Sequence, residues 1–116
     1  MKYGLAIVVV GGLLFGPQMA GAARADLEAG KQQAKVVCAP CHGPVGISLV
    51  RNYPNLAGQK EKYIAEQLEA YRAGTRVSEK LMPPIALQLT DQDIKNLAKY
   101  FSSLSGCGDE CSVKDQ

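Results

Sequence analysis

The chain divides by hydrophobic pattern into an apolar leader, a body of short amphipathic stretches and a polar tail. Leu5 to Phe15 is a nearly unbroken apolar run, preceded by Lys2 and followed by the small-residue segment Ala20-Gly21-Ala22 and Ala23-Arg24-Ala25. A positive start, an apolar middle and an A-x-A end are the parts of a secretory signal, so residues 1–25 are expected to be cleaved before Asp26, with Ala22 as a second cutting point. The other reading is an uncleaved anchor. The apolar stretch falls short of the roughly 20 residues a spanning helix needs.

After Asp26 the apolar residues recur at helical spacing, and nothing alternates with the period of a strand. Leu27, Gly30, Ala34 and Val37 share one face of a first helix that Asp26 caps. Gly43, Pro44 and Gly46, then Tyr53 to Gly58, read as loops. A second helix is predicted from about Glu61 to Ala73, with Ile64, Leu68 and Tyr71 inward and Gly74 just past its end. Gly74 to Leu89 reads as a loop stiffened by Pro83 and Pro84. A last helix begins at the cap Thr90, with Asp93 as the acid of a capping box, carries Ile94, Leu97, Ala98, Phe101 and Leu104 on its buried stripe, and stops at Gly106. The expected fold is all-α, three to five short helices in one domain spanning 26–116, with a Cys-containing tail over 105–116.

Composition narrows the class. Removing 1–25 leaves 91 residues and takes away Lys2 and Arg24, so the basic residues then equal the eleven acidic ones. A cut after Ala22 keeps Arg24 and one positive charge. Neither chain has the basic footprint of a nucleic-acid binder, and neither is expected to insert stably in a membrane once the leader is gone. A domain this small buries a meagre core unaided.

The chemistry is concentrated in Cys38-Ala39-Pro40-Cys41-His42. Two thiols at this spacing can each form a thioether with one vinyl group of a porphyrin, and the adjoining imidazole can then ligate its iron. A dithiol redox site would want a surrounding βαβ pattern. Zinc would need both cysteine pairs, and Cys107 and Cys111 lie much further away than zinc-binding pairs usually do. The expected cofactor is one covalent haem c, held by Cys38 and Cys41 with His42 as the proximal ligand.

The sixth iron position can be approached by elimination. His42 is the only histidine, and of three methionines Met1 and Met19 fall in the leader, leaving Met82. If the iron is His/Met ligated, Met82 is the distal ligand; an open site, a lysine ligand, or Met82 as core filler are the alternatives. His42 has a second ring nitrogen that wants an acceptor, and the Pro54 carbonyl is the candidate. Cys107 and Cys111 are a candidate disulfide closing a short loop in an oxidising compartment, or a link to a partner, or a labile redox pair.

The ordered series Cys38-x-x-Cys41-His42-Gly43, Tyr53-Pro54-Asn55-Leu56-Ala57-Gly58-Gln59, Tyr63-Ile64-x-x-Gln67-Leu68, Tyr71-Arg72-x-Gly74, Met82, Leu89-Thr90-Asp91-x-Asp93-Ile94 and Leu97-Ala98-x-Tyr100-Phe101 resembles class I cytochromes c of the c4 / c553 type. The resemblance implies the cytochrome c fold, its first and last helices crossing near Gly30 and Tyr100. It also implies Pro54 as partner of His42, Met82 as distal ligand, and periplasmic one-electron carriage between redox protein donors and acceptors without enzymatic turnover. Cytochromes c4 carry two such domains, whereas one Cys-x-x-Cys-His here implies a monohaem protein. The alternative is the cytochrome subunit of a periplasmic dehydrogenase, such as a flavoprotein oxidising sulfur compounds. Arg51, Lys60, Lys62, Arg72, Arg76 and Lys80 either frame an exposed haem edge for partners or form an ordinary mixed-charge surface.

Overall fold

The computed structural model describes residues 24–78 and 81–106. The leader through Ala23, and the candidate disulfide of Cys107 and Cys111, lie outside the described residues. Among the described residues five α-helical segments succeed one another: α1 Leu27–Gln33, α2 Ala39–His42, α3 Glu61–Arg72, α4 Met82–Ala86 and α5 Asp91–Ser102. Among the described residues there is no strand.

Asp26 caps α1 by accepting from the Ala29 N–H through its side chain. A π-helical turn, Ala34–Cys38, joins α1 to α2 without a break. The extra residue in that turn rotates the downstream residues by roughly 100° around the axis, the angular step of one residue. It therefore sets the face on which Cys38 and the motif emerge. Sequence periodicity predicts one uninterrupted helix here, because a π turn changes the phase by a single residue and leaves no compositional mark. Leu27, expected inward, is half exposed, while Gly30 and Ala34 are buried.

α5 is the spine of the domain. Thr90 accepts from the Asp93 N–H, and the Asp93 carboxylate accepts from the Thr90 N–H, completing the capping box. The Thr90 side chain and then its backbone N–H hold the Asp93 carboxyl below the usual carboxylate range. A depressed folded-state value means this contribution is full above the unfolded pKa and is lost as pH falls through the folded one. The helix ends at Ser102, four residues before Gly106, because the chain turns at Ser103 to let Phe101 O accept from the Gly58 N–H at 2.9 Å.

Ile94, Leu97, Ala98, Tyr100 and Phe101 of α5 are buried together with Ala34, Ile64 and Leu89. Among the described residues Ile94, Leu97 and Phe101 are the large side chains excluded almost completely from solvent, so the protein-only core is thin.

The segment predicted as a loop around Met82 is the short helix α4. Pro83 and Pro84 lie in its first turn, where a missing N–H costs nothing and a fixed φ suits the helix, so the same prolines that mark a break also start a turn.

α1 and α5 approach closely enough to touch backbone to backbone. A Cβ built on Gly30 would lie 2.1 Å from the Asn96 carbonyl oxygen and 3.0 Å from the Tyr100 Cβ. Gly30→Ala must therefore push the two helices apart. We expect it to destabilise the haem-loaded protein by about 3 kcal/mol in guanidinium unfolding, whereas Ala29→Ser on the exposed side of α1 should change little.

Candidate functional site

The elements converge on one cavity of about 850 Å³, within the range of pockets that hold a whole cofactor. Its walls carry Cys38, Cys41 and His42 from the motif, Pro54 and Leu56 from the adjoining loop, Ile64, Leu68 and Tyr71 from α3, Met82 and Ile85 from α4, and Leu97 and Phe101 from α5. Cys38, Cys41, His42, Pro54 and Met82, widely separated along the chain, thus line a single space.

His42 closes α2 and is buried. Its Nδ1 lies 2.8 Å from the Pro54 carbonyl oxygen, an N–H donating to a C=O. That bond fixes the tautomer, so Nε2 carries the lone pair available to a metal. Tyr53 stands beside the imidazole, ring centroids 6.3 Å apart.

The loop that brings Pro54 under His42 is itself tied down. The Leu56 and Ala57 N–H groups donate to Gly46 O, the Ser48 N–H donates to Asn55 Oδ1, and the Ser48 hydroxyl donates to Cys41 O. Gly43, with φ 83°, makes the turn out of α2; a Cβ there would meet Ile47 O at 1.8 Å, so only glycine fits.

Burial, and after it the neighbouring Cys41, push the Cys38 thiol up to about 11. A dithiol oxidoreductase activates its attacking cysteine in the opposite direction, by lowering its pKa. A raised Cys38 does not fit the attacking cysteine of a disulfide-exchange pair. Among the described residues no group of three or more His, Cys, Asp or Glu could hold a bare metal ion.

Met82 sits at the start of α4, half-buried, and its N–H donates to the Ser78 hydroxyl at 3.3 Å. The donor set and the surface of this space fit a haem. Two thiols and an imidazole nitrogen lie on one segment, a thioether on another, with aliphatic and aromatic side chains between them.

Residues 27–105 match the family described as Cytochrome c. The chain belongs to the cytochrome c family. Its cofactor is accordingly haem c, attached covalently through Cys38 and Cys41. Cytochrome c4 of Thiocapsa roseopersicina is 42% identical over 88 residues, which are 76% of this chain and 45% of that protein. A thiosulfate dehydrogenase electron acceptor of Stutzerimonas stutzeri (strain A1501) is 39% identical over 69 residues, 58% of this chain and 32% of that protein. The solved cytochrome c4 of Acidithiobacillus ferrooxidans superposes with TM-score 0.66 at 36% identity, over 75% of this chain and 54% of that one. The chain thus spans about half the length of the relatives it matches. The all-α cytochrome c fold expected from the sequence is the fold of these structures.

The basic residues offered either as a frame for partners or as an ordinary mixed-charge surface take different places in the structure. Arg72 donates to Leu89 O and pairs with Asp91, so it staples α3 to the start of α5. Arg76 lines the cavity. Lys62 pairs with Glu66 one turn away, and Lys80 lies outside the described residues. Sequence position alone cannot show which of six neighbouring cations turns inward.

Proposed function

We propose that the protein is an exported, periplasmic, monohaem one-electron carrier whose iron is ligated by His42 and Met82. The observation that carries this reading is the meeting of Cys38, Cys41, His42 and Met82 on the walls of one cavity. When bound, haem supplies reversible one-electron chemistry between Fe(III) and Fe(II).

The residues tune that chemistry. His42, polarised through Nδ1 by Pro54, is a stronger donor than a free imidazole. The Met82 thioether is neutral and soft, which favours the reduced state and raises the potential. His42 and Met82 together would hold the iron and leave no open place for a substrate, so the group would supply electron transfer without bond making at the metal. Donors and acceptors would meet it through a small transient contact of under about 1,200 Å².

A second reading has a specific support, the relative named thiosulfate dehydrogenase electron acceptor. As the haem subunit or dedicated acceptor of a dehydrogenase, the chain would co-purify with the enzyme in fixed ratio. As a free carrier it would elute alone.

Export involves removal of the leader, and the two possible cuts differ in which contacts with α5 the mature protein keeps. The Gln92 side-chain amide donates to Arg24 O at 3.1 Å and the Lys99 ammonium donates to Ala25 O at 2.9 Å, while the Asp26 N–H donates to Asn96 Oδ1 at 2.7 Å. A cut after Ala25 would discard the first two contacts and a cut after Ala22 keeps all three. Among the described residues no helix is long and apolar enough to cross a membrane.

Two measurements test this reading. Reduced wild-type protein should not bind carbon monoxide, while Met82→Ala should bind it readily and show a lower midpoint potential; equal behaviour of the two would remove Met82 from the iron. Mass spectrometry of protein recovered from the periplasm should give an N-terminus at Ala23. An N-terminus at Asp26 would contradict the earlier cut.

A further inference from the structure

We propose that Ser48 is a positioning residue for the iron ligand His42. Through its side chain and its backbone it ties the motif helix to the Pro54 loop, and so sets the hydrogen bond by which Pro54 polarises the imidazole. The inference rests on the haem reading above and adds to it a residue outside both the motif and the cavity wall.

The bond from His42 Nδ1 to the Pro54 carbonyl joins residues 12 positions apart, so its strength depends on how firmly the two segments are held together. Ser48 lies between them in the chain and grips the immediate neighbour of each partner. Its hydroxyl reaches Cys41 O at 3.1 Å, one residue before His42. Its backbone N–H donates to Asn55 Oδ1 at 2.8 Å, one residue after Pro54. Two bonds in series, through one residue, thus bridge the two sides of the ligand's own hydrogen bond.

The local structure gives both bonds something to hold. α2 has only four residues, and Cys41 O belongs to its last turn, where carbonyls have no partner within the helix. Ser48 supplies one from outside. The hydroxyl is itself oriented: it accepts from the Val50 N–H at 3.1 Å, and Val50 O, 3.0 Å away, is the other acceptor for its single proton. On the far side, the Leu56 and Ala57 N–H groups donate to Gly46 O, so the backbone just past Asn55 is fixed to the same loop that carries Ser48. Ser48 is not among the residues lining the cavity, so its effect on the iron passes through other residues.

A firmly held N–H···O=C bond at Nδ1 makes the imidazole a stronger donor at Nε2, and a stronger donor favours Fe(III). Loosening the bridge therefore shifts the balance toward Fe(II). Proton NMR of the reduced, haem-loaded protein reads the bond at its own atom. In Ser48→Ala the His42 Nδ1–H should exchange with solvent roughly tenfold faster, relative to the backbone amides of Ile94 and Leu97 in α5. The equilibrium constant for reduction should rise about threefold, equal to about 28 mV for one electron. Ser48→Thr, which keeps the hydroxyl, should restore both values. Ser102→Ala, which removes a serine hydroxyl bonded to Lys99 O near the end of α5, should move neither. Asn55→Ala breaks the other half of the same bridge, so the double variant should add little to either single change.

An unchanged Nδ1–H exchange rate in Ser48→Ala, whatever the melting temperature does, would reduce Ser48 to a fastener of its loop and overturn the proposal. A double variant whose effect is the sum of the two single ones would overturn it as well. If Ser48→Ala fails to mature, Asn55→Ala is read by the same two measurements, and wild-type values there would overturn it equally. A colourless wild-type protein would instead sink the haem reading itself.

Discussion

The backbone contact between α1 and α5 at Gly30 is the constraint on which the site depends. With no side chain between them, the two helices lock at a distance any Cβ would forbid. α1 then delivers the motif, through the π turn, to a fixed place beside Leu97 and Phe101 of α5. The same crossing is fastened at its open end by Asn96, which accepts from the Asp26 N–H and from Gln92. Sequence distance between these helices is nearly the whole domain, so closing them together also closes the chain around the cavity.

The thin core makes sense in this arrangement. Few large side chains are fully buried against one another, and many of the remaining apolar ones, Leu56, Leu68 and Ile85 among them, face the cavity instead. Covering several hundred square ångströms of such surface with a porphyrin is worth on the order of ten kcal/mol at about 25 cal/mol per Å². The cofactor is thus part of the hydrophobic core as well as the redox centre, and the covalent links through Cys38 and Cys41 keep that part of the core from leaving. Function and stability draw on the same cavity.

Much of this is legible in the residues, for identifiable reasons. α3 and α5 are amphipathic over 12 residues each with good end signals, and the bounds expected for α3 lie within a residue of those observed. The motif announces its chemistry because thioether attachment demands that spacing, and Met82 stands out because no other thioether comes after the leader. The Pro54 carbonyl is reachable through family likeness, and the structure sets it at hydrogen-bond distance from His42. Whatever depends on phase or direction escapes. The π turn at Ala34–Cys38 costs one residue of register, α4 is hidden by prolines that serve equally in loops and first turns, and the inward turn of Arg76 is invisible among alternating charges. Each needs the third dimension to decide it.

The central claim, that the two ends of the cavity meet on one iron, is tested most directly by proton NMR of the reduced protein. A methyl group held over a porphyrin face is shifted far upfield by the ring current, beyond the range of ordinary protein methyls. The account predicts one such three-proton signal, from the Met82 ε-methyl, that disappears in Met82→Ala. Its absence from the wild type, or its survival in the variant, would contradict the account.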